Sequence, residues 1–428
     1  MIRPTVARVD LGALKSNYRH IVERLAGEQP VSPPRVVAVV KANAYGHGAA
    51  QIARALEDAG ADLLACADIE EGAALRAAGV RAEILVFGAL SVSDLDGLFD
   101  CRLTPTISTP GAARAVQSAA ARFKQSIGYH LKIDTGMNRL GFRFDNLGRT
   151  LPELFASQNL ELNAVYTHFA TADDPASALF ERQRARFERA LVTIDGLRRP
   201  ALRFFDASTL RPFDPSTGSG SSRAASRDDE LGVGPRHVEG QQAQGRAALR
   251  GQPARHPYVH ASNSAALLRD ARVWYDRVRP GLLLYGVVPP PLASTIDLRP
   301  VMTLGSRVVA VKGMRPGEAS GYGARFTAER PTTIAIVPAG YADGLDLRLA
   351  GRGAVLIRGR RAPVVGSVCM DMLMADVTGL DVSPGDEVVI IGSQGDDRID
   401  VREMAATIGS IPWEVLCRIG SRIERIYT

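Results

Sequence analysis

Lys41 follows directly on the apolar run Val36-Val37-Ala38-Val39-Val40 and precedes Ala42-Asn43-Ala44-Tyr45-Gly46-His47-Gly48, so a buried strand delivers an amine into a glycine-flanked turn. Lysine is scarce in this chain. Of 52 Lys and Arg residues, only those at 15, 41, 124, 132 and 312 are lysines. Unlike a guanidinium, an ammonium can lose its proton, attack a carbonyl and form a Schiff base. A lysine at a strand end also arises simply because its stem covers apolar surface while its head reaches water. The strand by itself leaves both roles open.

Other groups with chemical capacity follow apolar runs in the same way. They are Lys132-Ile133-Asp134-Thr135-Gly136-Met137-Asn138-Arg139, Thr167-His168-Phe169, Ser262-Asn263-Ser264 and Arg279-Pro280-Gly281-Leu282. If the preceding runs are parallel strands of one barrel, an amine, two arginines, a histidine and small hydroxyl or glycine groups converge at its C-terminal mouth. Such a mouth suits an anionic, phosphate-bearing ligand that also needs a covalent amine. A metal is not expected. Cys66, Cys101, Cys369 and Cys417 are far apart and form no CxxC pair, and the seven histidines show no HExxH spacing.

The elements that must position these groups follow from the hydrophobic pattern. Short β-rich runs at 36–40, 62–67, 83–87, 103–107, 128–133, 160–166, 258–261 and 278–284 alternate with amphipathic helical patterns at 51–59, 69–78, 111–123 and 179–197. Eight strands alternating with helices predict a closed (β/α)8 TIM-type barrel over 11–290. The alternative, a doubly wound sheet, lacks a G-x-G-x-x-G after its first strand. From about 291 to 428 period-two runs at 302–311, 332–338, 354–357, 364–368, 373–377 and 387–391 predict a mainly β domain. The stretch 206–254, rich in Ser, Gly, Arg, Asp and Gln, reads as a disordered insertion in a helix-to-strand connection, away from the catalytic mouth.

The string from Val39 to Gly48 resembles the pyridoxal-phosphate attachment signature of the alanine racemases, the barrel-type enzymes that use this cofactor. The resemblance continues through 132–141, 167–173, 260–266, 279–286, 321–324, 337–344 and 366–371, nearly the whole chain apart from the insertion. It implies a homodimer that interconverts L- and D-alanine, supplying D-alanine for peptidoglycan. The N-terminal segment 1–10 would join the β domain. Lys41 would carry the cofactor and act as a base on one face of the substrate; Tyr322 of the partner subunit would act on the other, aided by His168. Tyr45, Asn263, Ser264 and the backbone of Gly281 and Leu282 would hold the cofactor, and Arg279 would face its ring nitrogen. Arg139, Met370 and Asp371 would bind substrate. Lys132 matches a position often carbamylated in the family, and Tyr341 and Asp343 match an access corridor. By register, a second phosphate-binding tyrosine of the family falls at Ser421 in this chain. Other readings are a racemase of serine, lysine or several amino acids, and a non-catalytic protein that binds the cofactor. The β domain carrying Tyr322 and Met370 counts against the latter.

Composition narrows the field. A chain of 428 residues with 46% hydrophobic and 23% charged residues has the balance of a globular protein. Its net charge of +6 comes from arginines dispersed along the chain, not gathered into a basic stripe, so nucleic acid is not the expected partner. No stretch reaches the roughly 18 apolar residues of a membrane span. The first ten residues hold no apolar leader, and the cysteine usage favours a reducing compartment, so a cytoplasmic location is expected.

Overall fold

The computed structural model describes residues 4–90, 94–198 and 256–428. The predicted insertion at 206–254 lies outside them. Eight parallel strands form the first part of the fold: Arg35–Val39, Leu63–Cys66, Glu83–Val86, Thr104–Ile107, Ile127–Asp134, Leu160–Tyr166, Tyr258–Asn263 and Arg277–Arg279. Each pairs with the next, and the eighth pairs with the first, so the ring closes. The expected barrel is therefore the observed one.

Side-chain alternation explains why these runs close into a ring. Val36, Ala38, Leu64, Ile84 and Val86 point outward and join the large core under the helices, while Val37, Leu63, Ala65 and Leu85 meet one another in the lumen. The other half of the lumen is polar. Buried His130, Lys132, His260, Arg277 and Arg279 stand there beside Tyr166. Helix starts lie where the sequence supplies caps: Asp68 and Thr109 accept from the amides of Glu71 and Ala112 at 2.8 and 3.1 Å, the second with Pro110 in the first turn.

Two predicted strands are corrected. The run 278–284 is strand only to Arg279, because Pro280 offers no N–H and Gly281 turns the chain into a 3-10 helix at Leu282–Tyr285. The run 302–311 is two strands, Met302–Arg307 and Ala310–Met314, which pair with different neighbours. The helices not anticipated include Leu11–Glu28, Val401–Ile408 and Pro412–Cys417. The second part of the fold is a mainly β sheet of ten strands. The N-terminal strand Val6–Val9 lies within it, antiparallel to Met302–Arg307 and parallel to Glu424–Tyr427. The final strand thereby brings the C-terminus back against the barrel. Among the described residues no helix is long and apolar enough to cross a membrane.

Candidate active site

The backbone after Lys41 is unusual. Ala42, Asn43, Ala44 and Tyr45 have φ of 53°, 52°, 54° and 52°, and Gly46 follows at 80°. A left-handed conformation costs an L-residue roughly 1–2 kcal/mol, so such a run persists only where its surroundings over-determine it. Several ties do so. Asn43 Oδ1 accepts from the Ala49 amide at 2.8 Å, and Arg425 of the last strand donates to the Gly46 carbonyl from Nε and Nη2 at 3.1 and 2.9 Å. Gly46 is required: a Cβ there would sit 2.3 Å from the Leu416 carbonyl oxygen. The turn is thus locked between barrel and β domain, with Lys41 at its start.

Lys41 opens into a cavity of about 610 Å³ at the C-terminal ends of the barrel strands. Lys41, Tyr45, Lys132, Arg139, His168, Asn263, Ser264, Arg279 and Gly281 all line it, so most of the predicted barrel residues converge. Four basic side chains and one carboxylate, Asp173, face this space. Its field favours an anion. Burial, and then Arg139, pulls the Lys41 pKa below the ordinary lysine value, and burial with Arg139 and Arg279 nearby brings Lys132 down to about 8. An amine held this way reaches its nucleophilic neutral form more readily.

Arg279 is the most constrained of these groups. Its Nη2 donates to the carbonyls of Thr167 and Ala261, both at 2.9 Å, and approaches His168 Nδ1 at 3.4 Å. Its Nη1 reaches His260 Nδ1 at 2.9 Å. Burial lowers its pKa to about 10, so it stays protonated at neutral pH and can only donate. Arg139 is positioned differently: Asp134 Oδ1 accepts from the amides of Gly136, Met137 and Asn138 at 2.9 to 3.1 Å, folding the loop that carries the arginine.

A second cluster within the cavity has the makings of a phosphate cradle. Ser264 Oγ accepts from the Gly281 amide at 2.9 Å and the Leu283 amide at 3.4 Å. Leu282 is fully buried between them. The Tyr45 phenol lies so close to Gly281 that a Cβ there would come within 2.3 Å of its oxygen. Hydroxyls and a bare glycine at one end, a guanidinium along the polar wall and a primary amine match the phosphate, ring nitrogen and carbonyl of pyridoxal phosphate. The residues present fit that group.

The remaining predicted residues lie elsewhere. Tyr322, Met370 and Tyr341 are 78%, 52% and 43% exposed on the β domain, outside the cavity of their own chain. They form one unit: Ser367 Oγ donates to the Tyr322 carbonyl at 2.6 Å, and the Tyr341 and Ala342 amides donate to the carbonyls of Cys369 and Met370. Asp343 is buried and accepts from the Gly340 amide at 2.9 Å, closing that turn. Asp371 pairs with Arg422 at 2.6 Å. Ser421, at the register of the family's second phosphate-binding tyrosine, is exposed and does not line the cavity. The aromatic residue from this region at the cavity is Trp413, with Ile411 beside it. Neither was anticipated, since an Ile-Pro-Trp sequence at a helix start gives no sign of the distant surface it meets. Among the described residues no cluster of three or more His, Cys, Asp or Glu side chains could hold a metal ion.

Residues 9–209 and 225–289 match the family model of the alanine racemase N-terminal domain, and residues 301–427 that of the C-terminal domain. The chain belongs to the alanine racemase family. Over its full length it is 37% identical to an alanine racemase of Carboxydothermus hydrogenoformans, covering 100% of both chains. It is 36% identical to that of Symbiobacterium thermophilum, covering 100% of this chain and 97% of the relative. Among solved structures, the alanine racemase of Streptomyces lavendulae matches with a TM-score of 0.82 at 28% identity, covering 100% of this chain and 98% of that one. The Bartonella henselae alanine racemase matches with a TM-score of 0.75 at 26% identity, covering 99% of each chain, and is described with covalently bound pyridoxal phosphate. The activity of this chain is alanine racemisation, and the alanine racemase family is one of pyridoxal-phosphate-dependent isomerases.

Proposed function

We propose that this chain racemises alanine by a two-base mechanism in a homodimer, each active site combining Lys41 of one chain with the partner subunit's Tyr322. The single observation that carries this reading is the position of Tyr322, which is exposed on the β domain and absent from its own chain's cavity. One lysine reaches one face of a substrate Cα, so inversion needs a second base. An aromatic and methionine-bearing patch at 78%, 52% and 43% exposure needs something to cover it. A second copy supplies both.

Pyridoxal phosphate would be held covalently by Lys41, with Tyr45, Asn263, Ser264 and the backbone at Gly281 and Leu282 around its phosphate and Arg279 at its ring nitrogen. When bound, it would draw electron density from the substrate Cα and so acidify the C–H bond. Because Arg279 only donates, it would leave the ring nitrogen unprotonated and temper that withdrawal, which restrains side reactions such as transamination. Arg139, with the backbone of the partner subunit's Met370, would bind the substrate carboxylate, with the partner subunit's Asp371 adjacent. Lys41 Nζ would exchange a proton with Cα on one face and Tyr322 Oη on the other. His168, which Arg279 approaches at Nδ1, would help Tyr322 act as a base. Tyr341 would narrow the approach from the partner's side, with Asp343 holding that turn in shape. The four unpaired cysteines support a reducing, cytoplasmic setting, and D-alanine made there would serve peptidoglycan synthesis.

Chain mixing tests the reading. Lys41→Ala and Tyr322→Phe homodimers should each lose activity by at least about 10²-fold. Random reassociation of the two should restore about a quarter of wild-type activity, since half the dimers then hold one intact site of two. No recovery from mixtures shown to contain hetero-dimers would refute the shared site.

A further inference from the structure

The left-handed turn after Lys41 has one more tie, and it comes from a residue outside the cavity lining. Glu71, in the first turn of helix Ile69–Ala77, sends its carboxylate back over the mouth of the barrel. Its Oε1 accepts from the Ala42 amide at 2.7 Å and the Asn43 amide at 3.4 Å. Its Oε2 accepts from the Ala67 amide at 2.8 Å, just past the end of the second barrel strand. Asp68 steadies Glu71 in turn, accepting from its amide at 2.8 Å.

We propose that Glu71 is a positioning residue for Lys41, its carboxylate pinning the strained turn that follows the lysine to the neighbouring strand end and thereby fixing where the amine stands in the cavity. The proposal rests on Lys41 being the lysine that serves the reaction. Ala42 and Asn43 are exposed, so without the carboxylate water would solvate their amides and the left-handed run would lose the contact on its cavity side. An ionised carboxylate suits this task because both oxygens accept, and charge-assisted hydrogen bonds are the stronger kind. The other side-chain ties hold the turn from its far end, where Asn43 accepts from the Ala49 amide and Arg425 donates to the Gly46 carbonyl. Glu71 is the side chain that accepts from the backbone amides of the two residues next to Lys41. Proton transfer tolerates little displacement, and about 1 Å of misplacement costs on the order of 10²-fold in rate.

Glu71→Gln is the informative change. It preserves size but turns one oxygen into an NH2 group, which must face either the Ala67 N–H or the Ala42 and Asn43 N–H groups, donor against donor. Two readings are expected. In protein freed of cofactor, hydrogen exchange at the Ala42 and Asn43 amides should accelerate at least about tenfold. In the loaded enzyme kcat should fall, and the α-deuterium isotope effect should rise for the alanine enantiomer that loses its proton to Lys41 and fall for the other. The second half follows because, in that direction, Lys41 delivers a solvent-derived proton. A general loss of folded enzyme would scale activity and leave both isotope effects unchanged. Should Glu71→Gln not fold, Glu71→Asp keeps both acceptors on a side chain one methylene shorter and gives the same two readings. Unchanged amide exchange with unchanged isotope effects, in a background where Lys41→Ala is inactive, would overturn the role of Glu71 alone. Racemisation surviving in Lys41→Ala would overturn the reading beneath it.

Discussion

Arg279 donates from Nη1 to Nδ1 of His260 across 2.9 Å, and because a guanidinium accepts nothing, His260 must carry its proton on Nε2. That proton points at His130 Nδ1, 3.2 Å away, so His130 is protonated on Nε2 and donates to the Tyr258 oxygen at 2.7 Å. One fixed charge at the cavity therefore orders a chain of neutral rings down the polar half of the barrel lumen. Tyr166 stacks on His260 with ring centroids 4.6 Å apart and fills the space beside it.

The chain has a pH signature. Burial, followed by repulsion from Arg277 and Arg279, lowers His130 to about 3, and burial with Arg279 holds His260 well below 6.5. Between those values and 6.5 the unfolded chain binds protons that the folded chain does not. Stability is thus fully present above 6.5 and falls as pH drops toward 3, by about 1.4 kcal/mol per pH unit for each such histidine at the limiting slope. Denaturant midpoints of wild type and His130→Gln at pH 7 and pH 5 check this. The variant should lose less stability over that interval than wild type. Parallel losses would place the proton uptake elsewhere.

How much of this was legible beforehand depends on the range of the determining contact. The barrel strands announced themselves because each is a local apolar run ended by glycine, proline or a polar group, and a run such as Leu63–Cys66 is buried at every position. Lys41, His168, Ser264 and Arg279 were legible as a set because each follows such a run. The eighth strand was overextended because Leu282-Leu283-Leu284 is as apolar as a strand yet coils after Pro280. Trp413 and Glu71 were invisible for another reason. Their importance lies in contacts across the fold, Trp413 with the barrel mouth and Glu71 with the backbone of Ala42. A backbone amide leaves no mark on the residue types that surround it.

Lys132 offers a test that depends on carbon dioxide. Its ammonium sits 5.6 Å from the Tyr166 ring centroid, and its pKa of about 8 reflects burial first and then Arg139, Arg279 and Lys41. Only the neutral amine adds carbon dioxide, releasing a proton and leaving a carbamate anion. The modified fraction should therefore rise with pH through about 8 and with added bicarbonate. The product would exchange one of four clustered cations for an anion facing Arg139. Native mass spectrometry should show the added mass of carbon dioxide, lost on acidification. Lys132→Ala should raise the KM for alanine several-fold, and acetate should restore part of the loss by standing in for the carbamate. An unmodified mass in bicarbonate at about pH 9 would remove carbamylation from the account.

Trp413 provides the last test, that of substrate size. It enters the cavity from the short helix Pro412–Cys417, on the far side from Lys132 and Tyr166 in the sequence but lining the same space, and it is the bulkiest residue there. Alanine offers only a methyl group beyond Cα, so a wall that excludes larger side chains favours it by steric cost rather than by added attraction. One methylene in such a pocket is worth about 1–3 kcal/mol, or roughly 10–200-fold in relative kcat/KM. Trp413→Ala should therefore raise the ratio of kcat/KM for serine and 2-aminobutyrate over alanine by about that range. The alanine value itself should fall because the smaller substrate is less firmly held. A chiral assay over a panel of amino acids reads both. An unaltered ranking with an intact fold would assign the size limit to the residues around Tyr341 instead.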